Sequence, residues 1–213
     1  MTTPEPMPYR TTWVERLAPL GGIVFAIWVL VGFFTSEDYG ETPQSVVAFA
    51  ESSETNTYIM ALLGLAAPLL LGWFLGGLMA VMRPASTALR TITLVGGVLL
   101  IVFVTVGITI WSAPLLDDSL DLSTAAVYLA LDDFGWVIIG TGGVGAAIMI
   151  IAVSLAALRH GWVPAWLGWL SLALGVVAFA SVAAIGLFAW LAWLIGAGAL
   201  LLWRGSPTEP STR

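Results

Sequence analysis

The sequence predicts an all-α fold, a polytopic six-helix transmembrane bundle with two short amphipathic helices in its outer loops. Three observations carry this expectation. Of 213 residues, 59% are hydrophobic and only 9% charged, whereas a soluble domain carries about 25% charged residues. The mean hydropathy of +0.98 leaves too little polar surface to wrap a soluble core. The charges that remain lie between long apolar runs and are sorted by sign along the chain.

The uncharged runs define spans at about 18–34, 58–81, 91–111, 136–158, 167–185 and 187–203. A helix rises about 1.5 Å per residue and the hydrocarbon core is about 30 Å thick, so each run is read as one crossing. The first run follows Arg10 and Arg16 as a signal peptide would. It ends Gly32-Phe33-Phe34-Thr35 without a small-x-small cleavage motif, so it reads as an uncleaved span. The stretch from Trp166 to Trp203 carries no charge and is too long for one crossing, which requires a turn near Ala184 to Phe188. Gly186 is the expected pivot, because glycine tolerates a left-handed backbone. Residues 1–17 and 204–213 are read as tails of the 18–203 transmembrane domain.

All seven Arg (10, 16, 83, 90, 159, 204, 213) fall on one side of this layout. Ten of thirteen acids fall on the other, among them Glu37, Asp38, Glu41, Glu51 and Glu54 in the first outer loop. Arginine in short loops stays cytoplasmic. The expectation is a multi-pass plasma-membrane protein with both termini cytoplasmic. Trp13, Trp162, Trp166, Trp169 and Trp203 fall at the Arg-bearing interface and Trp111 and Trp136 at the other, as amphipathic indoles should. Trp28 and Trp73 are expected to pack between helices.

In the first outer loop, Thr42 is an N-cap candidate and Pro43 suits the first helical position. Val46, Phe49 and Ala50 then share one face of a short helix. In the second, Ser123 is the cap candidate and Val127, Ala130 and Leu131 share a face before Asp132 and Asp133. Each unit runs span, acidic loop, short helix, span, Arg and Pro. Two parallel repeats followed by a third hairpin are one reading of this; the other is that any outward acidic loop before a span takes this form.

Gly140-Thr141-Gly142-Gly143-Val144-Gly145 matches the dinucleotide pattern G-x-G-x-x-G, but it lies inside an apolar run where no strand and no wetted helix terminus precede it. Gly140, Gly142, Gly143 and Gly145, with Gly72, Gly76 and Gly77, are instead read as helix-packing positions, where small residues let backbones approach. His160 is the single histidine and there is no Cys, so no thiolate or histidine metal site is expected and no cofactor is implied. Asp117, Asp118 and Asp121 lack the order of a calcium loop. Asp132 and Asp133, at the entrance to the fourth span, form the candidate outer polar site. At depth within the spans the polar residues are hydroxyls: Thr105, Thr109, Thr141, Ser154, Ser171 and Ser181. Such hydroxyls ordinarily bond a carbonyl one turn back or a neighbouring helix.

Arg159-His160-Gly161-Trp162-Val163-Pro164-Ala165-Trp166-Leu167-Gly168-Trp169, preceded by Ala130 to Trp136 and the Gly-rich span, resembles a family of uncharacterised six-span membrane proteins of high-GC, actinobacterial-type bacteria. The resemblance rests on Arg159, Gly161, Pro164, Trp166, Leu167, Gly168 and Trp169. It implies the six-span architecture and carries no activity. Read locally, Arg159 and His160 end a helix, Gly161 takes the left-handed terminal conformation, and Pro164 opens the next helix. Trp162, Trp166 and Trp169 anchor the hairpin at the interface.

A net charge of −6 excludes a nucleic-acid partner, since a polyanion needs a basic patch. The partners expected are the lipid bilayer and, within it, another membrane protein or a second copy of the chain. The spans hold no ionisable residue to serve a proton relay or a voltage sensor. The function expected is therefore non-enzymatic, an accessory or structural membrane component. A small transporter or channel for an apolar or weakly polar solute is the alternative.

Overall fold

The computed structural model describes residues 13–35, 40–52, 55–116, 120–181 and 183–204. Asp117 and Asp118 lie outside them. The described residues form helices and their connections, with no strand among them. The helices are α1 (Trp13–Thr35), α2 (Pro43–Ser52), α3 (Thr55–Val81), α4 (Thr87–Ser112), α5 (Leu122–His160), α6 (Ala165–Ala178) and α7 (Ala184–Arg204), with a 3-10 turn at Ala113–Leu116 after α4. All but α2 form a closed ring in the order α1, α3, α4, α5, α6, α7 and back to α1. One core fills it, drawn from Phe25, Leu71, Phe74, Leu100, Ile150, Trp190 and their neighbours.

Among the described residues five helices, α1, α3, α4, α5 and α7, are long and apolar enough to cross a membrane. The protein is thus a helical bundle of membrane-spanning character. The fifth expected span is the exception. α6 has 14 residues and is only about 21 Å long at the helical rise.

The turn after α6 falls at Phe179–Ala183, not at Ala184–Phe188, and Gly186 lies inside α7. Nothing in the local sequence forces this break. The turn closes with short-range bonds, Phe179 N–H to Val176 O and Ala180 N–H to Val177 O. Glycines elsewhere make room for it. A Cβ at Gly186 would collide with the Ala180 and Ser181 backbone, and one at Gly143 with the Ser181 side chain. The turn is therefore fixed by close approach of its neighbours, and Gly186 contributes by lacking a side chain rather than by a left-handed φ. Among the described residues only Gly40 and Gly161 have positive φ.

The second outer unit also differs from expectation. It is not a separate short helix but the first turns of α5, which runs 39 residues without interruption. No proline interrupts it, and its glycines lie against α4 and the α6–α7 turn. The cap is Asp121, two residues before Ser123. Its carboxylate accepts from Thr124 N–H and from Ser123 Oγ, each at 2.7 Å. The bond from the Thr124 amide, then those from the Ser123 and Thr124 side chains, lower the Asp121 pKa to about 2. The C-terminus follows expectation, with Gly161 at φ 63° and its N–H on Ala157 O. Trp162 N–H also reaches Ala157 O, at 3.0 Å.

In the first outer unit, Thr42 Oγ1 accepts from Ser45 N–H and Ser45 Oγ accepts from Thr42 N–H, both at 3.2 Å. This reciprocal pair starts α2 at Pro43. Val46 is fully buried against Ala125 of α5, with Phe49 and Leu129 beside them. The second unit buries Ala125 rather than the expected face. Val127, Ala130 and Leu131 are exposed.

The α4–α5 contact accounts for Gly142 and Gly145 of α5 and for Gly96 of α4. A Cβ at Gly145 would lie 2.6 Å from Leu100 N and 2.7 Å from Gly96 O, and one at Gly96 would lie 2.7 Å from both Gly145 O and Met149 N. Gly142 faces Phe103 and Val104 at 3.3 and 3.2 Å, and Gly140 is buried. Gly72 and Gly76 differ from expectation, since both are exposed with open space where a Cβ would be. On α3 the close approach belongs to Gly77, against Ala18 of α1. The G-x-G-x-x-G stretch lies within helix α5, with no strand before it among the described residues.

Candidate functional site

Arg159 and Asp121, at opposite ends of α5, define an Arg-bearing and an acid-bearing end. At about 1.5 Å per residue α5 is roughly 58 Å long, against a hydrocarbon core of about 30 Å. Ser181 in the α6–α7 turn meets α5 at Gly143. Gly143 is roughly 26 Å from the Arg-bearing end of α5 by helical rise, and a further stretch of roughly 33 Å leads to Asp121. On the acid-bearing side of this turn α5 loses α6 as a neighbour. Its partners there include α4, α2 and the 3-10 turn.

A row of large apolar side chains remains uncovered along this part of α5. Leu122 is 52% exposed, Val127 56%, Leu131 37% and Phe134 63%. Val127, Leu131 and Phe134 are spaced i, i+4 and i+7 and share one face of the helix, whereas Leu122 lies on another side of its first turn. Val137 and Val144 continue the row toward the Arg-bearing end.

Asp132 lies near this row and is half-buried; Asp133 belongs to the same helix, and its side chain lies outside the described residues. Trp136 is one turn along. It approaches Phe33 of α1 at 6.3 Å between ring centroids, and Phe33 meets Phe188 of α7 edge-on at 5.3 Å. The end of the bundle near Asp132 is thus closed by rings from α1, α5 and α7. Among the described residues no group of three or more His, Asp or Glu could hold a metal ion.

Inside the bundle a directional hydrogen-bond chain joins three helices. Trp193 Nε1 of α7 donates to Ser171 Oγ of α6 at 2.6 Å. Ser171 and Ser154 hydroxyls lie 2.6 Å apart, and Ser154 Oγ of α5 donates to Ile150 O at 2.7 Å. Ser154 has one proton and gives it to Ile150, so Ser171 must donate to Ser154. The chain satisfies every member and ties the short α6 to both neighbours. Thr105, Thr109 and Thr141 bond carbonyls one turn back at 2.6 to 2.9 Å, and Ser181 bonds Ala178 O.

The interior indoles are Trp28, Trp190 and Trp193. Trp190 is 1% exposed and stacks on Phe25 at 6.0 Å, and Trp193 meets Phe74 edge-on at 6.2 Å. Nε1 of Trp28 and of Trp190 are buried without a hydrogen-bond partner among the described residues. Trp73, expected inside, is on the surface. Sequence reasoning picked out Ser154 and Ser171 one by one. It missed Trp190 and Trp193, because nothing in an uninterrupted apolar run marks which indole faces inward. Trp166 and Trp169 are exposed at the Arg-bearing end, and His160 stacks on Trp162 at 5.3 Å beside exposed Arg159.

Compared with protein-family models, with curated proteins and with solved structures, the chain matches none.

Proposed function

We propose that the protein is a non-enzymatic accessory component of the plasma membrane, holding a second integral membrane protein along the exposed row of α5. The observation that carries this reading is the combination of length and surface. α5 outruns a bilayer, yet its apolar row continues through Phe134 and Leu131 to Val127. Large apolar groups that leave the lipid need another cover. The row is continuous with the membrane-facing part of α5, so the partner is a transmembrane helix that also projects beyond the bilayer. Glu41, Glu51 and Asp121 are exposed at this end, which favours a partner with basic residues there. In this reading the Arg-bearing end is cytoplasmic. The Arg159 to Trp169 element supports membership of the six-span bacterial family.

A photo-crosslinking residue placed at Val127 and at Phe134 in living cells tests the proposal. One discrete protein adduct from both positions is expected, with none from Val98 or Val102 on the exposed face of α4. The same adducts from all four positions, or none from Val127 and Phe134, would overturn it.

One observation favours the alternative, a conduit for a weakly polar solute. The unpartnered Nε1 groups of Trp28 and Trp190 are two buried donors that a solute carbonyl or hydroxyl could satisfy. Flux of such a solute into proteoliposomes, lost on Trp190→Phe, would establish that reading instead.

A further inference from the structure

A groove of about 240 Å³ runs between α4 and α5, lined by Leu89, Ile92, Ile148, Ile151, Ala152 and Leu155. Its origin is the glycine contact beside it. Gly96 meets the α5 backbone at Gly145 and Met149, which draws the helices together, while Ile92 and Ile148 stand as walls. Ala152 is buried and Ile92 exposed, so the slot is open to whatever surrounds the bundle. All six side chains are aliphatic.

The slot has a charged end. Ile148, Ala152, Leu155 and Arg159 are spaced i, i+4, i+7 and i+11 on α5, which places them on one face. Arg159 therefore follows Leu155 at the end of the groove. It is exposed and makes no hydrogen bond or ion pair with another described residue. His160 and Trp162 form a stacked pair beside it. An aliphatic slot that ends in a guanidinium at the end of a membrane helix has the chemistry of a lipid, with a hydrocarbon tail and an anionic head.

We infer that this groove binds one acyl chain of an anionic phospholipid whose phosphate pairs with Arg159. Lipid tails gain nothing by leaving other tails, so retention rests on the fit of the chain in the slot and on the charge-assisted phosphate–guanidinium pair. The inference requires the helices to sit in a bilayer and is independent of the partner proposed for α5.

Native mass spectrometry of the full chain, released from mild detergent after exposure to equal phosphatidylglycerol and phosphatidylcholine, tests it. Phosphatidylglycerol should be retained about tenfold over phosphatidylcholine, because both carry the phosphate but choline sets a second cation beside the guanidinium, a like-charge contact on the order of tenfold. Arg159→Gln should erase this preference. Ile92→Trp, at the exposed rim, should lower retention of both lipids. Arg204→Gln removes the same charge from the same end on α7 and should leave the preference intact, and glycerol phosphate without acyl chains should not compete. Unchanged thermal unfolding identifies the variants that remain folded. Equal retention of the two lipids by the parent protein would overturn the site. So would loss of preference in Arg204→Gln, or full competition by glycerol phosphate.

Discussion

Gly145 and Gly72 look alike in the sequence, each a glycine within an apolar helix, and they occupy opposite environments. At Gly145 a methyl group would press on the Leu100 amide and the Gly96 carbonyl, both backbone, so relief would need α4 and α5 to part. Gly145→Ala should therefore destabilise the protein by about 1–3 kcal/mol, the usual scale of overpacking. Gly72→Ala enters open space and should be neutral or stabilising, because alanine favours helix by up to about 1 kcal/mol. Thermal unfolding in detergent separates the two, and an equal loss from both would remove the packing explanation. Composition reveals that small residues are present, but which face they occupy depends on the neighbouring helix. That is why Gly77, Gly142, Gly143 and Gly145 were legible as contacts, while Gly72 and Gly76, read the same way, face open space. Asp121 gives a second residue-scale prediction. Its carboxyl is held at about 2, below its ordinary value of 3.8. The charged cap stabilises the folded state above pH 3.8, and this contribution is lost as pH falls through about 2. The Thr124 amide resonance should titrate with that low midpoint and lose the transition in Asp121→Asn. A midpoint near 3.8 would contradict the cap.

Elements were legible where a breaker or a cap marks them, and illegible where tertiary contact decides. Gly161 and Pro164 mark the α5–α6 turn, and the structure places it there. Between α6 and α7 no such mark exists. The chain breaks after Ala178, where Gly143 and Gly186 leave space for the turn, and both glycines lie outside it. α5 is long for the complementary reason. The acidic stretch before the fourth span resembles a loop boundary, yet Asp132 and Asp133 are compatible with a helix already capped at Asp121. The Trp193–Ser171–Ser154 chain is what holds the short α6 in register. Ser171→Ala strands the buried Trp193 Nε1 donor and should cost about 1–3 kcal/mol, the range for an unsatisfied buried group. Ser171→Ala combined with Trp193→Phe should cost less than the sum of the single changes, because the stranded donor is gone as well. Strict additivity in chemical unfolding would show that the two side chains are not coupled.

At the scale of the molecule, the sorting of charge along the sequence becomes a physical separation of ends. The ring alternates direction from α1 through α3, α4, α5 and α6 to α7, so Arg204 of α7 returns to the end that holds Arg159. The interior of the ring was legible only as apolar, since the inward face of each helix is set by its neighbours. The depth of the α6–α7 turn was not legible at all. By helical rise the turn lies roughly 26 Å from the Arg-bearing end, just short of a hydrocarbon core of about 30 Å. Ala180 in that turn is exposed on the bundle surface, so its environment reports the lipid rather than the protein interior. The chain has no cysteine, which permits single-cysteine labelling of intact cells with a membrane-impermeant thiol reagent. Glu51→Cys, exposed at the acid-bearing end, should label. Ser206→Cys, beyond α7, should be protected until the cells are opened. Ala180→Cys should resist the impermeant reagent and react with a lipid-soluble maleimide, because α6 brings the turn almost but not fully across. Rapid labelling of Ala180→Cys from outside would make α6 a complete crossing with a wetted turn. Labelling of Ser206→Cys from outside would place the end of α7 opposite to where the arginines require it, and the charge-derived orientation would fall.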